Sequence, residues 1–202
     1  MIQKAQVILI TTLTAIIYGI IHDEITARVC IEYFTVAHPR LFETDSPTIL
    51  GFCWGVLATF ALGAVMGAIL ADVSQAGDAP PYPIAGICHS LLLLFGPMAL
   101  FTFSAGLLGF ELSSHHIVRL PLEFAQSVAP QHHDRFMAVW FAHAASYIAG
   151  LTGGILLIVH IWRLRGKPRV LTVVPRTGGA LIRALILTAL AILVLYIRLV
   201  HS

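Results

Sequence analysis

Charged residues are scarce in this 202-residue chain. Asp, Glu, Lys and Arg together make up 11% of the sequence, whereas they account for about 25% of a typical soluble domain. The formal net charge is only +2, and no basic stripe with interleaved aromatic residues occurs. The composition therefore argues against a soluble globular protein and against a nucleic-acid-binding protein.

The sequence also lacks the compact motifs of several common sites. It contains no Gly-x-Ser-x-Gly nucleophile motif, no phosphate-binding glycine loop and no His-Glu-x-x-His motif. These absences exclude the serine hydrolase and nucleotide-binding interpretations, and any metal ligands must come from separate segments.

Cysteine is limited to three residues. Cys30 and Cys53 lie near one predicted face and could form a disulfide there, whereas Cys88 is expected to be a buried thiol.

Long apolar runs, by contrast, dominate the chain. Hydrophobic residues make up 58% of the sequence, and the mean hydropathy is +0.88. Several runs are long enough to cross the ~30 Å hydrocarbon core of a bilayer. We predict an all-α, polytopic membrane helix bundle that forms a single domain, with five transmembrane helices at about residues 5–22, 48–70, 83–110, 136–162 and 180–200. Because no small-x-small cleavage pattern follows the first run, we expect it to be retained rather than removed as a signal peptide.

The second and fourth predicted helices are rich in glycine. Gly63 and Gly67 form the small-x-x-x-small pattern that allows two helix backbones to approach closely in lipid. This pattern predicts tight packing, either within the chain, between copies in a homo-oligomer, or against a larger membrane complex.

Two polar segments, residues 22–45 and 111–134, contain most of the histidines and acidic residues. The densest basic cluster lies in the loop after the fourth helix, which predicts that this loop and the N-terminus are cytoplasmic. Both polar segments would then lie on the outer face of the membrane. His143 lies about 12 Å into the fourth helix from that face, at 1.5 Å per residue. The segments and this intramembrane histidine are therefore expected to converge.

Imidazole and carboxylate groups are ligands of zinc, copper and iron, so the converging residues predict a divalent transition metal site. The favoured ligands are His22, Glu32 and His143, with Asp23 or His133 completing the set. Asp23 could instead orient a ligating imidazole or act as a general base. A structural alternative remains open, in which Glu32 pairs with Arg28 and the other groups are ordinary interfacial side chains.

Three short motifs carry a resemblance to a known family. They are Tyr18-Gly-x-x-His-Asp-x-Ile-Thr, Glu32-Tyr-Phe-Thr and, in a glycine-rich later helix, His143-x-x-Ser-Tyr. This combination resembles a family of small uncharacterised bacterial integral membrane proteins. The resemblance implies an inner-membrane location and a common site for His22, Asp23, Glu32, Tyr33 and His143. Within that site, Asp23 and Tyr33 are the candidate catalytic residues.

The sequence leaves the function open between classes. An enzyme with this site would use metal-activated water or oxygen chemistry on a lipid-soluble or small substrate. The glycine-rich helices also fit a non-catalytic packing subunit of a membrane complex or a small transporter. A third alternative is a haem electron carrier with His89 and His160 as the two axial ligands.

Overall fold

A computed structural model describes residues 2–165 of the chain. Four long helices make up most of this part: α1 (Ile2–Val29), α3 (Pro47–Val73), α4 (Ile84–Ser114) and α6 (His133–Arg165). All four are long and apolar enough to cross a membrane. The predicted all-α membrane bundle is therefore confirmed for the described residues, with α1 continuing seven residues beyond its predicted end at 22. The fifth predicted helix, residues 180–200, lies outside the described residues.

Short elements connect the long helices. They are α2 (Ile31–Val36), α5 (Leu122–Ala125) and a 3-10 helix (Pro130–His132). The break between α1 and α2 falls at Cys30, whose backbone is extended with φ −152° and ψ 100°. This break turns α2 away from the axis of α1. Helix α4 runs without interruption through Pro97.

Glycines bring α1 and α3 into close contact. A Cβ atom at Gly55 would lie 2.6 Å from the Cα atom of Ile20, and one at Gly51 would lie 2.9 Å from the Cα atom of Glu24. At Gly63, the corresponding atom would lie 2.8 Å from the Cβ atom of Ala15. The glycine-rich face of α3 therefore packs within the chain, while the prediction of a homo-oligomer or larger complex stays a prediction.

Helices α4 and α6 form a second tight pair by the same means. A Cβ atom at Gly109 would lie 2.7 Å from both the Met137 carbonyl oxygen and the Cγ atom of Phe141. Gly106 similarly faces Ala138 and Ala142. The described bundle thus consists of two closely packed helix pairs, α1 with α3 and α4 with α6, which lie side by side.

Polar contacts identify the two ends of the bundle. At one end, Lys4 donates to Asp72 over 2.6 Å, and Arg165 donates to the Val73 carbonyl over 3.2 Å. At the opposite end, Ser113 donates to Asp134 over 2.6 Å, joining the end of α4 to the start of α6. Both polar segments lie at this second end, which we call the histidine end. Their predicted convergence on one end of the bundle is correct.

Aromatic side chains close the histidine end. We call Tyr33, Phe34, His38, Trp54 and Phe136 the aromatic cap. Phe34 is 2% exposed and Phe136 is fully buried, and the Tyr33 ring lies 5.4 Å from the Phe136 ring between centroids. Through these contacts, α2 and the following loop fold back over the ends of α3 and α6. The aromatic cap therefore shields the side chains inside this end of the bundle from solvent.

Candidate metal centre

The last turns of α1 and an inner turn of α6 bring three ionisable side chains together beneath the aromatic cap. They are His22 and Asp23 on α1 and His143 on α6. The Nε2 atom of His143 lies 3.2 Å from Oδ1 of Asp23, and the Nε2 atom of His22 lies 4.0 Å from the same oxygen. One potential ligand atom from each of the three residues lies within 4.8 Å of the other two.

The three side chains are almost completely shielded. Their exposed fractions are 10% for His22, 7% for Asp23 and 5% for His143. A buried carboxylate is costly unless a cation or hydrogen-bond donors accompany it. Gly51 contributes to this burial, because its missing side chain allows the α3 backbone to pack directly against the backbone of Asp23.

The hydrogen bond of His143 fixes which ring nitrogen carries its proton. Its Nδ1 atom lies 3.0 Å from the carbonyl oxygen of Val139, one helical turn earlier. A carbonyl oxygen only accepts hydrogen bonds, so Nδ1 must be the donor. In the neutral ring, Nε2 then carries a lone pair and lies 3.2 Å from Oδ1 of the Asp23 carboxylate. Two acceptors this close repel each other unless a proton or a metal cation lies between them.

The Nε2 atom of His22, like that of His143, is buried and lacks a hydrogen-bond partner among the described residues. Their rings lie 4.5 Å apart between centroids, with an interplanar angle of 64°. Buried polar atoms almost always find a partner, and exceptions call for an explanation. Here two such atoms and a carboxylate converge on one point.

Tyr33 packs against this group from the aromatic cap. Its ring lies 4.5 Å from the His143 ring between centroids. Burial raises the pKa of Tyr33, and the neighbouring Tyr147 and Asp23 raise it further. The phenol therefore stays protonated at neutral pH, where it can donate a hydrogen bond but cannot act as a base.

Glu32 lies outside this group. It is paired instead with His132, whose Nδ1 atom donates to Oε1 over 2.5 Å, and with the thiol of Cys30, whose sulfur lies 3.3 Å from Oε2. The alternative in which Glu32 pairs with Arg28 is wrong, because Arg28 pairs with Glu24. Since the helix breaks at Cys30, Glu32 is not directed along the same face as His22.

The environment of Glu32 affects two pKa values. Burial acts to raise the pKa of Glu32, but hydrogen bonds from its backbone, Cys30 and His132 outweigh it and hold the pKa below the usual value. The pKa of the Cys30 thiol is raised to about 12, first by burial and then by the adjacent Glu32 carboxylate. Cys30 is therefore a neutral thiol. Cys30, Cys53 and Cys88 are all free, so the expected disulfide is absent from the described residues.

His133 is engaged elsewhere. Its Nε2 atom donates to the carbonyl oxygen of Val128 over 2.9 Å, which ties the start of α6 to the preceding loop. The adjacent His132 pairs with Glu32. Neither histidine belongs to the group formed by His22, Asp23 and His143.

The two histidines of the haem hypothesis do not face each other inside the bundle. His89 on α4 and His160 on α6 are both exposed on the surface of the described helices. Axial haem ligands within a bundle must instead project from facing helices into its interior. The arrangement gives no support to a haem held between these two side chains.

Three residues near the group were not among the predicted site residues. The Tyr18 ring stacks on His22 with centroids 6.1 Å apart, and His38 is bonded to the Tyr33 carbonyl. His132, and not the predicted His133, contacts Glu32, another predicted site residue. The four-residue spacing between Tyr18 and His22 could have indicated the first contact, since such residues share a helix face.

Comparison of the chain with protein-family models, with curated proteins and with solved structures finds no match. The family resemblance seen in the three sequence motifs therefore stays a prediction, and the function is argued from the residues themselves.

Proposed function

We propose that this protein binds a divalent transition metal, zinc, copper or iron, through His22, Asp23 and His143, and that it is a membrane metalloenzyme. One observation carries the proposal. The Nε2 atoms of the two histidines are buried without a hydrogen-bond partner, and both approach the same carboxylate. A cation at this point would bind two lone pairs and neutralise the carboxylate.

The distances support such a centre. Ligand atoms held about 2.1 Å from a tetrahedral ion lie about 3.4 Å from one another. The 3.2 Å separation of His143 Nε2 and Asp23 Oδ1 already fits this geometry. The 4.0 Å separation of His22 Nε2 from the same oxygen, and the 4.8 Å within which all three ligand atoms lie, require His22 to move closer on binding. Two histidines and one carboxylate also leave a coordination position open, as catalytic zinc and non-haem iron sites do.

The surrounding residues support a catalytic role. A bound metal ion would supply an activated water or oxygen species at the open position. Val139 would hold the His143 ring in the tautomer that presents Nε2 to the metal. The protonated phenol of Tyr33 is available as a hydrogen-bond donor next to the ligands. Asp23 serves in this proposal as a ligand and not as a free general base.

The remaining parts of the proposal concern family and location. The motifs of the family resemblance supply most of the residues around the group: Tyr18, His22, Asp23, Tyr33, His143 and Tyr147. We also propose that the histidine end faces the outside of a bacterial inner membrane and that the N-terminus is cytoplasmic. The basic residues near the opposite end, including Lys4, Arg163 and Arg165, support this orientation.

A cobalt(II) titration tests the metal proposal. Detergent-purified protein is treated with a chelator and titrated with Co²⁺, whose visible absorption bands report coordination by nitrogen and oxygen. We expect saturation at one equivalent for the wild type and for His89→Ala, which removes an exposed helical histidine. His22→Ala and His143→Ala should each lose the bands. Unchanged bands in either of these variants would contradict the proposed ligand set.

A further inference from the structure

A partly enclosed cavity lies between the two helix pairs. Its volume is about 100 Å³, and all four long helices contribute to its walls. The walls are mostly apolar or small and include Ala15 on α1, Met66 on α3, Leu94 on α4 and Gly150 on α6. The cavity lies within the apolar part of the bundle, where its natural ligand is itself apolar.

The cavity begins next to the proposed metal centre. Tyr18 and Tyr147 both line it. Tyr18 lies one turn before His22 on α1, and Tyr147 lies one turn after His143 on α6. Because α1 and α6 run in opposite directions, both tyrosines lie on the side of the histidines that faces the middle of the bundle. The cavity therefore begins about one helical turn from the two histidines, on the side that faces the middle of the bundle.

Hydroxyl groups are concentrated at the end of the cavity near the histidines. The Tyr18 hydroxyl lies 3.2 Å from the Thr102 hydroxyl, and Ser146 donates to the Tyr18 oxygen over 3.4 Å. A further lining residue, Thr11, lies seven residues before Tyr18 on α1, at the opposite end of the cavity; it is 7% exposed, and its hydroxyl has no partner among the described residues. The hydroxyls of Tyr18 and Ser146 near the histidines and the apolar walls beside them match an amphiphilic molecule.

Two glycines keep the cavity open. A Cβ atom at Gly150 would lie 3.5 Å from the Met98 Cε atom, and one at Gly154 would lie 3.4 Å from the Met66 sulfur. These are ordinary contacts, so a Cβ atom at either glycine fits without displacing its neighbour. Tyr147, which also lines the cavity, is 48% exposed. The cavity therefore reaches the surface of the bundle where the acyl chains of the bilayer lie.

We propose that this cavity binds the part of a membrane lipid's hydrocarbon chain that adjoins its polar end, while the rest of the chain stays in the bilayer, and that it directs the polar end toward His22, Asp23 and His143. The substrate class would be an acyl lipid that enters sideways from the bilayer. The part of the proposal that places the polar end of the lipid at a catalytic centre rests on the proposed metalloenzyme function. Binding of the chain itself depends only on the cavity.

Photo-crosslinking tests this binding. The protein is placed in phosphatidylcholine vesicles that contain either a phosphatidylcholine with a diazirine in one acyl chain or a diazirine-bearing stearic acid. After irradiation, labelled peptides are identified by mass spectrometry. The test variants are Gly150→Leu and Gly154→Leu, which fill the cavity. The control is Ala61→Leu, a matched enlargement at an exposed position on α3.

We expect labelling of the cavity-lining peptides in the wild type and in Ala61→Leu. It should fall about tenfold or more in each glycine variant, because the leucine occupies the space that the chain needs. Labelling by either probe supports the proposal and identifies the source of the chain. Labelling that is equal in the glycine variants, or confined to the outer surface of the wild type, would overturn it.

Metal content measured on the same samples separates the two proposals. Normal metal content with no cavity labelling defeats the lipid proposal alone. Cavity labelling without bound metal defeats the metalloenzyme proposal alone. The glycines do not contact His22, Asp23 or His143, so we expect both glycine variants to retain the metal content of the wild type.

Discussion

The Nε2 atom of His143 lies 3.2 Å from the carboxylate of Asp23, while its Nδ1 atom donates to the carbonyl oxygen of Val139. The imidazole therefore presents a lone pair to a carboxylate in a buried environment. The contact becomes favourable when a metal ion or a proton lies between the two atoms. Such a proton would make His143 an imidazolium or Asp23 a carboxylic acid. The two possibilities predict different behaviour for variants of Asp23.

Replacing Asp23 with asparagine distinguishes them. The asparagine amide can donate to His143 Nε2, so the metal-free Asp23→Asn variant should be at least as stable as the metal-free wild type. Its metal affinity should fall at least about 100-fold, because a ligand is lost rather than a supporting group. Thermal unfolding with and without metal measures both effects. If His143 were instead an imidazolium paired with Asp23, the substitution would destabilise the protein by about 3–5 kcal/mol.

The close packing of α1 and α3 predicts a strong effect at Gly55. A Cβ atom there would lie 2.6 Å from the backbone of Ile20, so Gly55→Ala must push the two helices apart. We expect a loss of about 1–3 kcal/mol in the free energy of unfolding, the usual range for overpacking. Gly150→Ala is the control, since its Cβ atom would make an ordinary 3.5 Å contact. Equal stability of the two variants would refute the described packing.

The pair formed by Glu32 and His132 predicts a pH dependence of stability. The pKa of Glu32 is lowered in the folded protein, so its contribution is complete above the usual value of 4.5 and is lost as the pH falls through the lowered value. We expect the wild type to be more stable than Glu32→Gln at neutral pH. The difference should shrink only below pH 4.5, as measured by chemical unfolding at several pH values. A difference that disappears already above this pH would contradict the pairing.

Cys30 should be inert toward alkylating reagents. It is 3% exposed, and its pKa is raised to about 12. At pH 8 we expect iodoacetamide to leave Cys30 unmodified in the folded protein and to modify it after unfolding. Glu32→Gln should increase the rate of modification, because the negative charge that raises the thiol pKa is removed. Mass spectrometry of the peptide measures the rate, and rapid labelling of the folded wild type would disprove the environment described.

The sequence was sufficient to predict the long helices and the end at which their polar segments meet. It also predicted that His22 and His143 lie together, with Asp23 as one of two further candidates, because ionisable side chains at or within apolar helices are costly and therefore conspicuous. It did not predict where Glu32 is directed. The break at Cys30 rotates α2 relative to α1, and a single residue with extended backbone is not marked by any glycine or proline there.

The sequence also could not show which of two adjacent histidines makes a given contact. His132 and His133 are adjacent, and only the turn before α6 decides that one contacts Glu32 and the other a backbone carbonyl. The glycines of α3 predicted a close helix contact but not its partner. The partner depends on which helix lies opposite, which is a property of the whole bundle and not of the motif.

Elemental analysis of the purified protein shows whether His22, Asp23 and His143 bind a metal ion. The wild type is compared with a His22→Ala/His143→Ala double variant and with a matched His89→Ala/His160→Ala control, together with a visible spectrum of each. We expect about one zinc, copper or iron per chain in the wild type and control, none in the site variant, and no haem band. A wild type without metal, or a site variant that retains it, would rule out the proposed metal centre.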